Sequence, residues 1–185
     1  AAAGLAESHR RGVIHRDIKP ANLFVVAPER EPERIELLDF GIARADAGSE
    51  LTHAGAVMGT PGYMAPEVLA GAPGGIRADV YGLGASLYYA LTGTSPKDAE
   101  HAPPSALVPG VPEALDDLIV GMLDRDPSRR PASVDEVAAA LAACSTTWRG
   151  GWPIDRATTV PSPLSPEDAE LEPTRDPSEP ATVAD

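Results

Sequence analysis

The segment HRDIKPANLF, residues 15–24, brings three different polar groups close together in the chain. Asp17 supplies a carboxylate, Lys19 an ammonium group and Asn22 a carboxamide. A carboxylate can orient a hydroxyl group and accept its proton, a cation can stabilise a transferred phosphate, and side-chain oxygens can bind magnesium. These residue types therefore suit the transfer of a phosphoryl group to a hydroxyl.

A second carboxylate, Asp39, lies at the end of the predicted strand IELLDF, residues 35–40, and Gly41 follows shortly after. A carboxylate at a strand end beside a flexible glycine is well placed to hold a metal ion. An Asp before a Gly also occurs in ordinary turns. Its spacing from Asn22 favours the metal-binding interpretation of Asp39 over ordinary turn chemistry.

Five motifs follow one another in the chain: HRDIKPAN (15–22), DFG (39–41), GTPGYMAPE (59–67), DVYGLG (79–84) and DPSRRP (126–131). In their residues and in their order along the chain, the motifs resemble those of the eukaryotic-type (Hanks-type) serine/threonine protein kinases. The resemblance covers about residues 5–143. The lysine two positions after Asp17, and Thr60 in GTPGY, resemble serine/threonine rather than tyrosine kinases. The resemblance implies ATP and Mg²⁺ as cofactors and a protein Ser or Thr hydroxyl as the acceptor.

The resemblance also implies a role for each residue of the candidate active site. It implies that Asp17 is the catalytic carboxylate and that Lys19 approaches the transferred phosphate. It also implies that Thr60 bonds near Asp17 and Lys19. It implies that Asn22 and Asp39 hold magnesium. The apolar floor beneath the adenine ring would consist of Leu23, Phe24 and Val25.

Structural roles follow from the same resemblance for residues outside the reacting centre. His15 and Phe40 would stack within an internal hydrophobic column. Glu67 would pair with Arg130, and Asp79 would anchor the catalytic loop from below.

The segment between Asp39 and Thr60 suggests a regulatory site. Arg16 precedes Asp17, as in kinases whose activation loop is ordered by phosphorylation. A phosphate on Thr52 could form charge-assisted hydrogen bonds with Arg16. The competing interpretation is an ordinary polar loop, and phosphopeptide mapping of an active preparation distinguishes the two.

The hydrophobic pattern predicts the elements that hold these residues. The expected elements are a helix ending at Arg10–Arg11 before Gly12, a hairpin of strands 23–26 and 35–40, a loop over 41–66, a buried helix over 78–93, a connection over 95–112, and helices over 113–126 and 133–143. In the last helix, Ser133 and Glu136 are expected to form a capping box. This pattern fits a mainly α fold with a short β-hairpin, which the resemblance makes the large, carboxy-terminal lobe of a protein-kinase-like fold.

Composition narrows the classes of partner. The 185 residues carry a formal net charge of −13, which argues against binding to nucleic-acid phosphates or to an anionic membrane. One cysteine, Cys144, cannot form an internal disulfide, and no run of apolar residues is long enough to span a membrane. The lobe is expected in the cytoplasm. Bacterial kinases of this kind often continue to a membrane-spanning segment, so membrane anchoring of the full-length protein downstream of these residues is an open alternative.

The chain is expected to divide near residue 147. Residues 1–147 are predicted to form a partial kinase domain. Residues 148–185 are rich in Pro, Ser, Thr and acidic side chains, and are predicted to be a disordered acidic tail or linker.

One part of the family pattern has no counterpart ahead of residue 15. Protein kinases carry there a lobe with a Gly-rich loop, a nucleotide-anchoring lysine and the glutamate partner of that lysine. The chain has two lysines, Lys19 and Lys97, and neither lies in that place. The amino-terminal lobe is therefore expected to be absent from these residues, and the isolated chain is expected to be inactive.

Two classes of function remain open from the sequence. The chain is either the carboxy-terminal lobe of a serine/threonine protein kinase, or a truncated, inactive kinase-like lobe that acts as a binding module. A third interpretation supplies the missing lobe from a separate chain. The intact set Asp17, Lys19, Asn22 and Asp39 favours the kinase, because a pure scaffold has no chemical need of it.

Overall fold

The computed structural model describes residues 1–26, 34–38 and 61–147 of the chain. All the described residues belong to one compact unit. The predicted domain boundary at residue 147 stays a prediction. Several predicted features lie outside the described residues: Asp39, Phe40, Thr52, Thr60 and the tail over 148–185.

Within the described part of the chain, α-helices dominate and two short strands form the sheet, which confirms the predicted fold class. The elements are α1 (Ala2–Arg10), β1 (Leu23–Val26), β2 (Arg34–Leu37), α2 (Pro66–Leu69), α3 (Ile76–Thr92), α4 (Pro104–Leu107), α5 (Glu113–Met122) and α6 (Val134–Thr147). Single turns of 3₁₀ helix lie at Pro20–Asn22, Pro61–Tyr63 and Pro127–Arg129.

The two strands form the predicted hairpin, but the second strand ends at Leu37 and not at residue 40 as predicted. β1 and β2 pair antiparallel, with Leu23 opposite Leu37 and Val25 opposite Ile35. Leu37 packs against the main hydrophobic core, in which Leu5 of α1 is fully buried. The Leu23–Leu37 end of the hairpin therefore rests on the helical body, whereas Val25 and Ile35 are exposed.

Helix α3 is the centre of the described structure. Its sequence is apolar nearly all round, and most of its residues are buried, as expected for a helix surrounded by others. It ends as predicted at Gly93, whose φ of 74° lies in the left-handed region that glycine adopts without strain. At Gly84 a Cβ atom would lie 2.7 Å from Cβ of Met122, so α3 and α5 pack closely there.

Three predicted elements differ from the structure in the second half of the chain, and one of them, helix α6, runs to Thr147 instead of ending at residue 143. The connection predicted over 95–112 contains the short helix α4, in which Pro104 occupies the first turn, where a missing N–H costs nothing. Helix α5 ends at Met122 instead of residue 126, because Asp126 begins a separate turn by accepting a hydrogen bond from the Ser128 amide over 2.8 Å.

Of the two hydrogen bonds in the capping box predicted at the start of α6, one is present as expected. Ser133 Oγ accepts a hydrogen bond from the Glu136 amide over 3.2 Å, which confirms Ser133 as the cap. The Glu136 carboxylate, however, accepts from the Ala132 amide over 2.9 Å. The return bond predicted for the Ser133 amide is thus made one residue earlier, and both bonds still fix the helix start.

Gly82 of α3 touches the loop that carries the candidate active-site residues. A Cβ atom at this position would lie 2.8 Å from the backbone oxygen of Ile18 and 2.9 Å from its Cβ. Because backbone atoms must move to make room, Gly82→Ala is expected to lower the free energy of unfolding by about 1–3 kcal/mol. Urea unfolding of the chain measures this loss.

Gly121 of α5 provides a matched control, because a Cβ atom added there meets nothing within 4 Å. Gly121→Ala is expected to raise the free energy of unfolding by roughly 1 kcal/mol through helix propensity alone. Equal effects of the two substitutions would show that Gly82 is not held by contact with Ile18.

Candidate active site

The loop between α1 and β1 brings three of the predicted site residues to one carboxylate. Lys19 Nζ donates a hydrogen bond to Asp17 Oδ2 over 2.9 Å. Asn22 Nδ2 donates to the backbone oxygen of Asp17 over 2.8 Å and to Asp17 Oδ2 over 3.2 Å. An ammonium group and a carboxamide therefore converge on a single acidic oxygen.

Asn22 is fixed by its place between a turn and the hairpin. It ends the 3₁₀ turn Pro20–Asn22, in which its amide donates to the Lys19 oxygen over 3.0 Å. Its own backbone oxygen accepts from the Leu38 amide, just after β2, over 3.0 Å. The carboxamide is therefore held from both sides before any ligand arrives.

The exposure of the cluster suits a site that meets substrate. The side chains of Asp17 and Lys19 retain 24% and 23% of their accessible surface, whereas Asn22 is buried. Partly shielded charges of this kind interact more strongly than charges in open solvent. The arrangement can both present a carboxylate to a ligand and place a cation beside it.

One side-chain oxygen of this loop, Asn22 Oδ1, is suited to bind magnesium. Because Asn22 uses its Nδ2 atom toward Asp17, its Oδ1 atom is the one left to accept, and no hydrogen bond reaches Oδ1 from the described residues. Amide oxygens are suitable ligands for Mg²⁺. No group of three or more His, Cys, Asp or Glu side chains forms a metal cluster within residues 1–26, 34–38 and 61–147, and Asp39 lies outside those ranges.

The three residues expected beneath the adenine ring lie on opposite faces of strand β1. Side chains alternate along β1, so Phe24 projects from one face and Leu23 and Val25 from the other. The Leu23 face pairs with Leu37, which packs on the core. Phe24, on the opposite face, is 51% exposed. A flat ring can contact one of these faces at a time.

Asp79 of α3 holds the backbone of the loop just before Asp17. Its Oδ2 atom accepts from the His15 amide and its Oδ1 atom from the Arg16 amide, each over 2.7 Å. Arg16 has a φ of 64°, a left-handed conformation that is costly for a residue with a side chain. The contact expected of Asp79 is therefore present, and it acts where the backbone is strained.

His9 is a contributor that the sequence interpretation missed. Its Nε2 atom lies 2.8 Å from Asp79 Oδ2, and its side chain is 6% exposed. One signal was available in the sequence: His9 follows Leu5 by four positions, so both lie on the buried face of α1. A histidine among small and charged residues gave no indication of its partner, which lies 70 positions away.

The comparisons with known proteins decide the family. A sequence model of the protein kinase domain matches residues 1–142. The chain belongs to the protein kinase family. This result confirms the resemblance on which the sequence interpretation rested.

Relatives of this kinase chain include bacterial serine/threonine-protein kinases. PknJ of Mycobacterium tuberculosis is 43% identical over 157 residues, which cover 77% of the chain and 27% of PknJ. Pkn1 of Myxococcus xanthus is 40% identical over 151 residues, which cover 74% of the chain and 22% of Pkn1. The chain therefore spans about a quarter of the length of these curated relatives.

A solved structure gives the same result for the fold. The kinase domain of PknI from Mycobacterium tuberculosis is similar at a TM-score of 0.58 and 32% identity, covering 77% of the chain and 51% of the PknI domain chain. The kinase chain thus corresponds to about half of that solved domain. Among its described residues, no helix combines the length and the apolar character needed to cross a membrane.

The kinase chain also contains the predicted pair between Glu67 and Arg130. Two guanidinium nitrogens of Arg130 donate to the two carboxylate oxygens of Glu67, each over 2.7 Å. Arg130 also donates to the backbone oxygens of Asp124 and Arg77 over 2.7 and 2.9 Å, and its guanidinium carbon lies 4.9 Å from the centre of the Tyr81 ring. One buried cation thereby joins α2, α3 and the turn after α5.

The Glu67 carboxyl titrates at lower pH than usual. Burial raises its pKa, but hydrogen bonds from Arg130 and from its own backbone, together with the charge of Arg130, outweigh burial, so the pKa lies below its ordinary value of 4.5. A carboxyl with a lowered pKa in the folded state stabilises the fold above its unfolded pKa and loses this contribution as the pH falls through its folded pKa.

The free energy of unfolding is therefore expected to fall as the pH drops below about 4.5, and Glu67→Gln is expected to flatten this fall. Urea unfolding at a series of pH values measures the slope in both proteins. Glu136→Gln is the control, because that carboxylate has no cationic partner among the described residues. A slope that is the same in the Glu67 variant and the unaltered chain would contradict the role of the pair.

Proposed function

We propose that the chain is the carboxy-terminal lobe of a serine/threonine protein kinase that transfers the γ-phosphoryl group of ATP to Ser or Thr hydroxyls of proteins. The observation that carries this proposal is the convergence of Lys19 and Asn22 on the partly exposed carboxylate of Asp17. Because the chain spans about a quarter of PknJ, the activity belongs to the whole protein in which such a lobe works.

In the proposed reaction Asp17 orients the acceptor hydroxyl. Its carboxylate accepts a hydrogen bond from the hydroxyl and then the proton, while the oxygen forms its bond to the γ-phosphorus and the bond to ADP breaks. Lys19, held at Asp17 Oδ2, places its positive charge beside the phosphoryl group as negative charge spreads over that group's oxygens.

Asn22 and Asp39 are proposed as the residues that hold magnesium. When bound, Mg²⁺ neutralises charge on the phosphate oxygens of ATP. The support for Asn22 is its anchored carboxamide, whose Oδ1 atom is left for a ligand because Nδ2 is used at Asp17. Asp39 is proposed on the DFG motif and on the family to which the chain belongs.

Phe24 is proposed as the principal apolar contact of the adenine ring. Its face of β1 points away from the face that packs on the core, and the ring is half exposed. On the other face, Leu23 supports the strand through its pairing with Leu37, which packs on the core, while Val25 is 66% exposed. Covering Phe24 with a flat base removes apolar surface from water, which favours binding.

Two further residues, Thr60 and Thr52, are included in the proposal because of their sequence motifs alone. Thr60 is proposed to bond near Asp17 and Lys19. Thr52 is proposed as a phosphorylation site whose phosphate pairs with Arg16, the exposed residue before Asp17. Phosphopeptide mapping of an active preparation that shows Thr52 unmodified would contradict the second of these roles.

An inactive binding module is the second candidate function, and one observation favours it. Phe24, Val25 and Ile35 are exposed apolar side chains on the same short hairpin. Exposed apolar surface of this kind can bind a protein partner. Such a module would not need the carboxylates of Asp17 and Asp39, so their replacement separates the two functions.

The test of the proposed kinase uses a hybrid kinase domain, in which the chain replaces the segment that it matches in the PknI kinase domain. Calorimetry is expected to show magnesium-dependent ATP binding by this hybrid, and Asp39→Ala is expected to abolish it. Asp117→Ala, an exposed acidic position on α5, is the control and is expected to leave binding unchanged. A hybrid that circular dichroism shows to be folded and that binds no MgATP would overturn the proposal.

The same measurement on the 185-residue chain by itself tests whether this lobe binds the nucleotide without a partner lobe. We expect no MgATP binding by the folded chain alone. Binding that Asp39→Ala abolishes would show that this lobe holds the nucleotide without a partner.

A further inference from the structure

A cavity of about 460 Å³ lies between helix α3, the loop that follows it and the end of helix α5. Its lining consists of Tyr88 of α3, the loop residues 100–102, and positions within 120–125. Cavities of about 300–1,000 Å³ are typical of sites for small molecules. None of the lining residues is among those proposed for the kinase reaction, so this cavity is separate from the candidate active site.

The first wall of the cavity is a short loop held in a strained conformation. Glu100 and His101 have φ values of 52° and 61°, both in the left-handed region that is costly for residues with side chains. The His101 amide donates to the Pro96 oxygen over 2.8 Å, and the hydroxyl of buried Tyr88 donates to the Ala102 oxygen over 2.8 Å. This wall is therefore fixed before any ligand arrives, and strained residues held in this way are frequent at ligand-binding sites.

The second wall is the chain segment at the end of α5, and a buried cation holds it. Arg130 donates from Nε to the backbone oxygen of Asp124 over 2.7 Å and from Nη2 to that of Arg125 over 3.4 Å. The Asp126 amide donates to Asp124 Oδ1 over 2.8 Å, which fixes that side chain. The backbone that carries the charged groups of this wall is therefore also preorganised.

Apolar surface completes the cavity. Leu123 is partly buried and packs against two of the core clusters, so its position is set by the fold. Val120, in contrast, is exposed on α5. A ligand that covers Val120 removes apolar surface from water, which favours binding.

The charged side chains around the cavity have both signs and are not paired with one another. Glu100 and Asp124 supply carboxylates, and Arg125 supplies a guanidinium group. Within residues 1–26, 34–38 and 61–147, no hydrogen bond or ion pair engages the carboxylate of Glu100, the guanidinium of Arg125 or Oδ2 of Asp124. The complementary ligand therefore carries a negative and a positive group together.

We propose that this cavity binds a free α-amino acid with an apolar side chain. The guanidinium of Arg125 donates to the ligand carboxylate, Glu100 and Asp124 accept from its ammonium group, and its side chain covers Val120 and Leu123. A purely cationic ligand would leave Arg125 without a partner, and an anionic ligand would meet two carboxylates. The inference goes beyond the proposed kinase function and does not depend on it.

The experiment titrates the 185-residue chain, shown to be folded by circular dichroism, with L-leucine and follows its backbone amides by ¹⁵N NMR. Saturable shifts are expected at amides around the cavity, among them those of Ala102, Val120 and Arg125. The titration needs neither ATP nor an amino-terminal lobe, so failure of this inference and failure of the proposed kinase function are separate results. Absence of a saturable shift at these amides would overturn the inference.

Three analogues of L-leucine test which groups the cavity requires. 3-Methylbutylamine lacks the carboxylate, 4-methylpentanoate lacks the ammonium group, and glycine lacks the apolar side chain. Each is expected to bind at least about tenfold more weakly than L-leucine, the factor that corresponds to one lost charge-assisted hydrogen bond or a comparable apolar contact. Equal binding of any one of them would overturn the assignment, in favour of a cation, an anion or a purely polar ligand respectively.

Two substitutions at exposed positions test the location of the site. Arg125→Ala is expected to make L-leucine bind as weakly as 3-methylbutylamine, and Glu100→Gln is expected to weaken its binding by about tenfold. The matched controls are Arg129→Ala and Glu113→Gln, at exposed positions outside the cavity, and both are expected to leave the affinity unchanged. Equal losses in a variant and its control would show that net charge sets the affinity, and would overturn the placement of the ligand in this cavity.

Discussion

Replacing Asp17 by asparagine in the hybrid kinase domain is expected to lower kcat by about 10²- to 10⁴-fold, because the residue proposed to accept the hydroxyl proton loses its basic oxygen. Asparagine has nearly the shape of aspartate, so the loop should keep its path. Binding of ATP does not depend on a proton acceptor, and KM for ATP is expected to stay within a small factor.

The structure explains why so small a change has so large an effect. Asp17 Oδ2 accepts hydrogen bonds from both Lys19 Nζ and Asn22 Nδ2. In Asp17→Asn one oxygen can still accept these bonds, while an NH₂ group replaces the second oxygen and presents donors to the acceptor hydroxyl. The charge that Lys19 balances also disappears, which alters the field at the transferred phosphate.

The measurement is transfer of labelled phosphate from ATP to a serine- and threonine-containing protein such as casein. Asp117→Asn is the matched control, since this residue is exposed on α5. Its activity should equal that of the unaltered hybrid. Full activity of Asp17→Asn would show that another group accepts the proton and would remove the central residue of the proposed mechanism.

Local patterns in the sequence were sufficient to predict the elements around this site. LFVV and IELLDF are short apolar runs around a polar connector; the first forms β1, and the second begins within β2, which ends at Leu37. The apolar run after Asp79 predicts a buried helix ending at Gly93, and α3 ends there. In each case the residues that decide the structure lie within one element, so periodicity and a stop residue are enough.

Helix α4, which was not predicted, depends on a contact between two segments. Ser105 at the start of α4 donates from its amide and its hydroxyl to the two carboxylate oxygens of Asp116 in α5, each over 2.8 Å. A four-residue helix is too short to be stable by propensity alone. Its existence therefore follows from a partner 11 positions away, which no local pattern predicts.

The residues of the candidate site also divide into those that the local sequence predicts and those that depend on contacts between segments. The cluster of Asp17, Lys19 and Asn22 lies within one short segment and could be found by residue type and spacing. The two helix residues that hold this loop are different, because His9 and Asp79 meet only after α1 and α3 pack. Asp79 was placed by family resemblance, and His9, which no motif includes, was found only in the structure.

Arg130 and Glu67 give the second large prediction, which concerns stability. Arg130→Met is expected to lower the free energy of unfolding by about 3–5 kcal/mol, because it leaves the Glu67 carboxylate without its cation and frees three backbone oxygens from hydrogen bonds. Urea unfolding of the chain at neutral pH measures this loss.

Arg129 is the control, one position earlier. Its side chain is mostly exposed, and it lies 3.9 Å from Asp126, a distance typical of a weak surface pair. Arg129→Met is expected to change the free energy of unfolding by less than about 1 kcal/mol. Similar losses at both positions would mean that the buried geometry of Arg130 contributes nothing particular.

A double-mutant cycle separates the ion pair from the other contacts of Arg130. If an unpaired carboxylate causes most of the loss, Glu67→Leu in the Arg130→Met background should recover part of the stability, because no charge is then left without its partner. The backbone oxygens of Asp124 and Arg77 would still lack their donor, so recovery should be incomplete. Additive losses in the double variant would show that Arg130 stabilises the chain mainly by joining these backbone segments, with Glu67 as a bystander.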